Sequence, residues 1–486
     1  MTFPQKTHAD WRAQVDKELA GKPFEKALVH ESLEGLAVQP LYTEAKQVPR
    51  ALGDGAPFRI CMQHAHDAKS SAIQADLDGG ADALWLAAGV KAPAKIEPNV
   101  LVVADESETA CTVNGTKVAL VSTLAWHDAG ADAAEEIALA LAAAVERITA
   151  GSTSLLVRVA VGRDTFLELS KIRALRTCLA KVLAAFEGKT FAPVRIHAVC
   201  STRTMTARDP WVNMLRVTTQ TFAAILGGAD LVTPNAFDRL LESPSDLGRR
   251  IARNTGHVLR EESALGRVID PGAGSYYFDA TTDALAREAW TRFQAIEKSG
   301  GLTKCLENGS IDAKLAETRK KRQAQIASRK LPILGVSEFA NLGEHLPSAP
   351  IASAPTNDLR DAAAFERLRN GNAHPEALLV TLGAFADSRA RVGFASTFFA
   401  AGGIASRETT KDEKAAIACL CGSDDAYASE AVARAKALKA AGCKRVLLAG
   451  RPGALEADLR AAGVDGFVYV GCDALAVLSS LVEVSS

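Results

Sequence analysis

The sequence predicts an α/β protein in which a (β/α)8 TIM barrel precedes a smaller, doubly wound, flavodoxin-like domain. Seven short runs rich in Val, Ile and Leu alternate with helical stretches between about 55 and 280, and four more follow a segment rich in Pro, Ala and Ser at 346–360. Continuous apolar runs separated by helices are typical of parallel strands covered on both faces. A chain of 486 residues is also longer than a typical single domain.

An amino-terminal arm is expected over residues 1–45. The segment DWRAQVDKELAG predicts a helix with Val15 and Leu19 on one face, and PLYT at 40–43 is expected to be extended. The arm lacks an apolar core of its own, so it should pack on the body of this chain or on a partner.

The barrel and its helical cap are expected over residues 46–345, with the charged helical stretch 281–330 as the cap. Seven apolar runs, with an eighth still to be found, approach the strand number of a TIM barrel. The runs near 100 and 118 leave little room for a helix between them, which predicts an irregular barrel there. The expected strands lie at 58–63, 83–87, 100–104, 118–122, 154–161, 194–200 and 230–234.

A linker is expected at 346–370, followed by the flavodoxin-like domain at 371–486. Pro, Ala and Ser cluster in the linker, as they do in connecting segments. The spacing of the later apolar runs fits a small doubly wound sheet. Its expected strands lie at 377–383, 415–422, 445–450 and 466–471.

The composition argues against several classes of partner and location. A formal net charge of −1 offers no basic face for nucleic acid, and no apolar stretch is long and uncharged enough to span a membrane. The first residues do not form a secretion signal. Nine cysteines occur without a CxxC pair, which is typical of buried thiols in a reducing compartment. We therefore expect no nucleic-acid or membrane partner and a cytoplasmic location.

One alternative is a metal-dependent TIM-barrel hydrolase that uses His64 and His66. Two histidines at i and i+2 on a strand point to one face, and a His-x-His at the end of a first barrel strand resembles the metal-dependent amidohydrolases. Such a site needs further ligands at later strand ends. His197 lies inside its apolar run, and Asp270 would serve only by coincidence.

Three long segments carry a more specific resemblance. They are VGRDTFLELSKIRALR (161–176), RIHAVCSTRTMTARDPWVNMLRVTTQTFAAILGGADLVTPNAFD (195–238) and IARNTGHVLREESALGRVIDPGAGSYYFDA (251–280). The chain resembles the methylmalonyl-CoA mutase family over most of residues 30–486. The resemblance implies a barrel that binds a CoA ester and a flavodoxin-like domain that carries adenosylcobalamin. In that family a radical reaction interconverts methylmalonyl-CoA and succinyl-CoA.

The catalytic positions of that family are not retained. Aligned on the family pattern, Met62 stands in place of a catalytic Tyr, and a methionine cannot donate a phenolic hydrogen bond. Leu124 and Ala125 stand in place of a second Tyr and of the His that donates a proton to the substrate carbonyl. His127 lies two residues further on and could replace that His only if the backbone rearranged. The resemblance therefore implies no catalytic residue in this chain.

The cobalamin positions are replaced as well. In the family's D-x-H-x-x-G loop, Phe385 replaces the Asp, Asp387 the cobalt-binding His and Ala390 the Gly, and Arg451 replaces a glycine further on. Independently of any family, residues 375–486 contain no histidine, so this domain cannot supply an imidazole to cobalt. The domain resembles a degenerate cobalamin-binding domain.

The resemblance thus implies the small, non-catalytic subunit of a heterodimeric mutase. Its partner would be a catalytic large subunit that holds the adenosylcobalamin, and this chain would bind no cofactor or metal itself. Two alternatives stay open: a stand-alone acyl-CoA mutase with an atypical site, and the metal-dependent hydrolase that uses His64 and His66.

Overall fold

The computed structural model describes residues 5–44, 53, 55–349, 358–370 and 374–482. These form two compact units. The first comprises the described parts of 1–203, 214–236 and 245–319, and the second those of 204–213, 237–244 and 320–486. The first four residues and residue 45 of the predicted arm, and residues 350–357 of the predicted linker, lie outside the described residues.

The amino-terminal arm holds two short helices and a small hairpin. These are α1 (His8–Glu18), α2 (Phe24–Ala27), β1 (His30–Glu31) and β2 (Ala37–Val38), with the two strands antiparallel. Thr7 and Asp10 form a reciprocal capping box at the start of α1, which satisfies otherwise unpaired backbone N–H groups. None of the residues of α1 is buried.

The centre of the first unit is a closed barrel of eight strands in the order β10-β3-β4-β5-β6-β7-β8-β9. The strands are β3 (Arg59–His64), β4 (Ala83–Leu86), β5 (Leu101–Asp105), β6 (Ala110–Val113), β7 (Thr116–Ser122), β8 (Leu155–Val161), β9 (Arg195–Cys200) and β10 (Leu231–Thr233). All neighbouring pairs are parallel except β5–β6 and β6–β7, because β6 runs antiparallel to both of its neighbours. The closed TIM-like barrel and its irregularity between 100 and 118 are confirmed.

Helices cover the outside of this barrel. They are α3 (Ser70–Asp78), α4 (Leu124–Ala129), α5 (Ala133–Thr149), α6 (Thr165–Ala184), α7 (Val212–Leu226), α8 (Asp246–His257) with a π-helical turn at Val258–Glu262, α9 (Tyr276–Lys298), α10 (Leu302–Glu307) and α11 (Ser310–Ala327). Alternate strand residues point to opposite faces. Ile60, Val157 and Val159 therefore pack outward against the helices in one core cluster, whereas Trp85, Leu156 and Val199 belong to an inner cluster.

The second unit contains a five-stranded parallel sheet in the order β12-β11-β13-β14-β15. Its strands are β11 (Ala377–Thr381), β12 (Ser406–Thr409), β13 (Ile417–Cys421), β14 (Arg445–Ala449) and β15 (Gly466–Val468). Four of them match the predicted strands. The fifth, β12, was not predicted, because Ser406, Arg407, Glu408 and Thr409 form no apolar run and none is buried.

Helices lie on both faces of this sheet. They are α12 (Ala363–Arg369), α13 (Phe385–Ala401), α14 (Asp424–Ala426) followed by a π-helical turn at Tyr427–Ala431, α15 (Val432–Ala440), α16 (Glu456–Ala461) preceded by a 3-10 turn at Gly453–Leu455, and α17 (Ala474–Val482). One core cluster joins the sheet to α12, α13 and α17, and another joins it to α15 and α16. Phe365 of α12 is fully buried, so the described second half of the predicted linker is packed structure.

No helix within the described ranges is long and apolar enough to cross a membrane.

Candidate functional site

The interior of the barrel holds a polar network on side chains that face the axis. Arg158 of β8 donates two hydrogen bonds to the carboxylate of Asp105 on β5, both at 3.0 Å. Its Nε lies 3.1 Å from Nδ1 of His197 on β9, and Nε2 of His197 lies 2.8 Å from the Thr233 hydroxyl on β10. Trp85 Nε1 donates to Asp105 at 2.7 Å. Five strands thus contribute to one connected network.

This network crosses the barrel axis. Strands β4 and β8 lie on opposite sides of the closed barrel, and the guanidinium carbon of Arg158 lies 3.9 Å from the Trp85 ring centroid. The Trp85 and His197 rings meet edge to face at 5.4 Å. Arg158 and His197 are almost completely buried. The interior is therefore filled by side chains, as in most barrels of this size, with a cation–π contact at its centre.

Burial and the neighbouring Arg158 cation hold the pKa of His197 well below its usual value. The imidazole is therefore neutral and can accept the hydrogen bond from Arg158 Nε at Nδ1 while donating from Nε2 to Thr233. This assignment makes His197 a fixed part of the interior network.

A second buried network joins the segment that follows β7 to helices α5 and α6. Glu136 of α5 accepts from the Thr123 hydroxyl at 2.6 Å and from Lys171 Nζ at 2.8 Å, and its carboxylate lies 3.3 Å from His127 Nδ1. His127 Nε2 lies 2.7 Å from the Ser201 hydroxyl. Burial by itself would raise the pKa of Glu136. The Lys171 cation and the hydrogen bonds have the larger effect, so the pKa is lowered.

His127 is therefore fixed in the interior of the first unit. Burial, together with the positive charge of Arg203, lowers the pKa of His127 to about 3. Both ring nitrogens have partners, and the Arg203 guanidinium also donates to the His127 carbonyl. The series Ser201, His127, Glu136 resembles a hydrolytic triad. However, the Lys171 cation forms an ion pair with the Glu136 carboxylate.

The structure does not place on one face the three residues that are expected to replace the family's catalytic residues. Met62 is buried in the outer cluster, with Ile60, whereas the adjacent Cys61 belongs to the inner cluster. Leu124 and Ala125 begin α4; Leu124 packs against the inner cluster and Ala125 is exposed. Because successive strand residues face opposite sides, Met62 does not face the barrel interior.

The histidines of the hydrolase alternative are also separated. His64 is buried, with Nε2 3.2 Å from Asp76 Oδ2, and its ring contacts Arg249. His66 is exposed on the turn that follows β3. Asp270 forms a two-pronged ion pair with Arg173. Within the described parts of the chain, no three His, Cys, Asp or Glu side chains are grouped as metal ligands. These contacts do not favour the hydrolase.

In the second unit, the residues aligned with the cobalamin loop lie at the carboxyl edge of the parallel sheet. Phe385 begins α13 with an exposed fraction of 69%. Asp387 and Ala390 are exposed on the same helix. Arg451 follows β14, and its guanidinium carbon lies 4.6 Å from the Tyr469 ring centroid. The ends of parallel strands are where sheets of this kind bind ligands.

Two side chains that the sequence did not single out occupy this edge. The Tyr427 hydroxyl lies 2.7 Å from the Ala449 carbonyl oxygen at the end of β14 and accepts from Gly422 N at 3.1 Å beyond β13. Arg391 donates to the same Ala449 carbonyl at 2.7 Å. A methyl group on Gly450 would lie 2.1 Å from Arg391 Nη1, so the guanidinium fills the space above that glycine.

These residues do not fit a corrin cofactor. The resemblance implies a histidine ligand and bare glycine backbone for adenosylcobalamin, whereas residues 375–486 offer no imidazole and Arg391 and Tyr427 fill the edge between β13 and β14. In the barrel, the sequence signal for a filled interior is the charge of Arg158 at the start of RVAV (158–161), inside an apolar run.

Comparison with known proteins agrees with the resemblance. The family model described as methylmalonyl-CoA mutase matches residues 85–392. A methylmalonyl-CoA mutase small subunit of Streptomyces virginiae is 33% identical over 99% of this chain and 97% of its own length. The alignment of 604 positions exceeds the 486 residues of this chain, so that relative carries segments that this chain lacks.

Other relatives match over shorter spans. The methylmalonyl-CoA mutase small subunit of Propionibacterium freudenreichii subsp. shermanii is 36% identical over 74% of this chain, which spans 62% of that relative. The methylmalonyl-CoA mutase of Escherichia coli is 32% identical over 50% of this chain and 36% of its own length. With a family model that matches more than half of the chain and a small-subunit relative aligned over nearly all of it, this protein belongs to the methylmalonyl-CoA mutase family.

Proposed function

We propose that this chain is a non-catalytic small subunit of a heterodimeric, adenosylcobalamin-dependent methylmalonyl-CoA mutase. In this proposal it binds and stabilises a catalytic large subunit, which holds the coenzyme and isomerises methylmalonyl-CoA and succinyl-CoA. The small-subunit names of the relatives support the role. The absence of a disulfide among the nine cysteines supports a cytoplasmic location.

The filled barrel interior is the observation that carries the proposal. An acyl-CoA ester that reached a reaction centre along the axis would have to displace Trp85 and Arg158. That would leave Asp105 without its cation, and an unpaired charge inside a protein is strongly unfavourable. The interior network therefore favours a structural barrel over a stand-alone mutase with an atypical site.

The parallel-sheet unit supports the same role. We propose that it is a flavodoxin-like domain, because its strand order, β12-β11-β13-β14-β15, is the 2-1-3-4-5 order of that fold. We further propose that Met62, Leu124 and Ala125, and Phe385, Asp387, Ala390 and Arg451, replace the family's catalytic and cobalamin-binding residues. The division into an arm (1–45), a barrel with its cap (46–345), a linker (346–370) and this domain (371–486) is part of the proposal.

The proposal is tested by adding adenosylcobalamin to the isolated chain and measuring binding by equilibrium dialysis and absorbance. The catalytic large chain from the same organism serves as the positive control. We expect no binding to this chain, and higher mutase activity when it is added to the catalytic chain than with either alone. Saturable binding of one coenzyme per chain, or mutase activity of this chain alone, would overturn the proposal.

A further inference from the structure

The turn of the β1–β2 hairpin is attached to the barrel through a buried glutamate. Glu34 Oε1 accepts a hydrogen bond from Ala133 N at the start of α5, at 3.0 Å. Arg292 of α9 donates to the Glu34 carbonyl oxygen at 3.1 Å, and Leu36 packs against the outer cluster of the barrel. Glu34 is only 6% exposed, so the attachment encloses a carboxyl group.

This carboxyl group has an incomplete set of partners. Its second oxygen, Oε2, is buried without a hydrogen-bond partner in the described part of the chain. A buried carboxylate needs a cation or several donors to offset the hydration that it loses. The ionised form of Glu34 is therefore poorly stabilised while the hairpin is attached.

Two further buried acids lie at the same place and compete for one guanidinium. Arg292 Nη1 lies 2.8 Å from Asp132 Oδ2 and 3.6 Å from Glu135 Oε1. Its Nε lies 2.8 Å from the carboxylate of Glu288 on its own helix. Asp132 and Glu135 are 4% and 5% exposed. Arg292 is thus engaged by other carboxylates and does not compensate Glu34.

Helix α11 also faces this cluster without neutralising it. The Thr318 hydroxyl donates to Glu135 Oε1 at 2.9 Å, which brings no charge. Lys314 lines a cavity together with Glu135 and Arg292, but its half-exposed ammonium lies 3.3 Å from Glu317. Buried carboxyl groups therefore outnumber the cations that reach them, which favours the uptake of a proton.

Both glutamates respond to this excess of negative charge. Burial, together with the charge of Asp132, raises the pKa of Glu34. The same two causes raise the pKa of Glu135. Because these acids interact, the added proton belongs to the cluster and not to one residue.

We propose that Glu34, Asp132 and Glu135 form a pH-sensitive latch, which holds the hairpin on the barrel while the cluster carries a proton and loosens when that proton is lost. Once the hairpin leaves the barrel, Glu34 reaches water and ionises without penalty. A carboxyl group whose pKa is raised in the attached state stabilises attachment fully below its ordinary value of 4.5. That contribution is lost as the pH rises through the raised pKa, so attachment weakens towards alkaline pH. The latch does not depend on the subunit role.

Hydrogen–deuterium exchange of the full chain, followed by mass spectrometry between pH 5.5 and 8.5, tests the latch. The measurement is the protection factor of peptides that span residues 30–38. Dividing by the exchange rate of the unstructured peptide at each pH removes the intrinsic effect of pH. A two-stranded hairpin is marginally stable by itself in water, so its amides lose protection when it leaves the barrel. We expect the factor to fall about tenfold or more over this range, while that of the barrel strands does not fall.

Two variants assign the effect to the buried carboxyl group. Glu34→Gln keeps the size of the side chain and an acceptor for Ala133 N but cannot ionise, so its hairpin should stay protected at pH 8.5. Glu31→Gln is the matched control, because Glu31 is exposed on strand β1 of the same hairpin. It should show the same decrease as the wild type.

Three outcomes would overturn the proposal. The first is a wild-type hairpin whose protection factor is the same at all pH values. The second is a Glu34→Gln hairpin that loses protection as the wild type does. The third is a loss of protection that extends to the barrel strands, because the latch acts on the hairpin alone. The wild-type profile decides the matter even where Glu34→Gln fails to fold.

Discussion

At the residue scale, Arg158 shows how one side chain fills the barrel interior. Its guanidinium is 2% exposed and its partner Asp105 is 18% exposed, so both charges depend on their mutual contact. Removing one member of a buried pair leaves the other uncompensated, whereas replacing both by neutral groups of similar size is tolerated far better. The stability of the interior therefore depends on the pair more than on either residue.

We accordingly expect Arg158→Met to lower the free energy of unfolding of the first unit by about 3–5 kcal/mol. The measurement is urea unfolding followed by tryptophan fluorescence. The matched control is the double variant Arg158→Met with Asp105→Asn, which removes both charges and keeps an acceptor for Trp85; it should recover much of the loss. A cost below about 1 kcal/mol for the single variant would contradict a tightly closed network.

His127 makes stability depend on pH. Its folded pKa is lowered to about 3 from an ordinary 6.5, chiefly by burial and also by Arg203. Between these values the unfolded chain binds a proton that the folded chain does not, so stability is complete above pH 6.5 and falls as the pH drops. The expected slope is at most about 1.4 kcal/mol per pH unit. The depressed pKa of His197 acts in the same direction.

The check is urea unfolding at several values between pH 7.5 and 5. The charged groups that face His127 are Glu136, Lys171 and Arg203, and Glu136 titrates only below its ordinary value of 4.5 because its pKa is lowered. His127→Gln removes the titrating ring, so below pH 6.5 its slope should be smaller than that of the wild type by up to about 1.4 kcal/mol per pH unit. Equal slopes in the two proteins would exclude His127 as the cause.

At the scale of elements, the β6–β7 hairpin connects β5 to β7, where a regular (β/α)8 barrel would have a helix between strands. Its two-residue turn is Asn114–Gly115, with φ of +49° and +79°, which are the left-handed values of a type I′ turn. A side chain on Gly115 would meet nothing within 4 Å. Any cost of Gly115→Ala therefore arises from the backbone and not from a clash.

We expect Gly115→Ala to destabilise the first unit by about 1–2 kcal/mol, because an L-residue is strained in the left-handed region. Gly393 is the matched control: it is exposed within helix α13, and an added methyl group also meets nothing. Gly393→Ala should instead stabilise its unit by up to about 1 kcal/mol. Thermal unfolding of both variants measures the two signs, and a loss at both positions would contradict this account.

The same hairpin marks the limit of prediction from the sequence. All parallel strands except β12 are predicted by the sequence, because apolar runs indicate burial on both faces. Strand β6 was missed although Asn114–Gly115 is a strong hairpin signal, and β12 was missed because it is polar. A pattern of alternating elements cannot show a single reversed strand.

The contacts inside the barrel are even harder to predict from the sequence. Arg158 and Asp105 are 53 residues apart in the chain, and only closure of the barrel brings them together. The sequence also does not show which strand residues face the interior: Met62 faces outward and Cys61 inward, and a shift of one residue exchanges the two faces.

At the scale of the whole molecule, the described part of the arm contacts the barrel through the segment around its hairpin. Glu34 accepts a hydrogen bond from Ala133 N at 3.0 Å, and Arg292 donates to the Glu34 carbonyl at 3.1 Å. Helix α1, in contrast, buries none of its residues; within the described part of the arm, its Trp11 meets Phe24 at 6.0 Å between ring centroids. The arm is thus anchored near the hairpin, and α1 leaves all of its side chains at least partly accessible.

A helix of 11 residues is only marginally stable in water unless another surface covers it, which suits contact with a large subunit. We expect deletion of residues 2–28, which spares Glu34, to leave the unfolding of the barrel unchanged and to weaken binding to the catalytic chain at least tenfold, equivalent to about 1.4 kcal/mol. Trp11→Ala should reproduce much of the effect, because Trp11 is half-buried on α1 and tryptophans often dominate interfaces. Affinity is measured by calorimetry with the catalytic chain; unchanged affinity in both variants would assign the subunit contact to another surface.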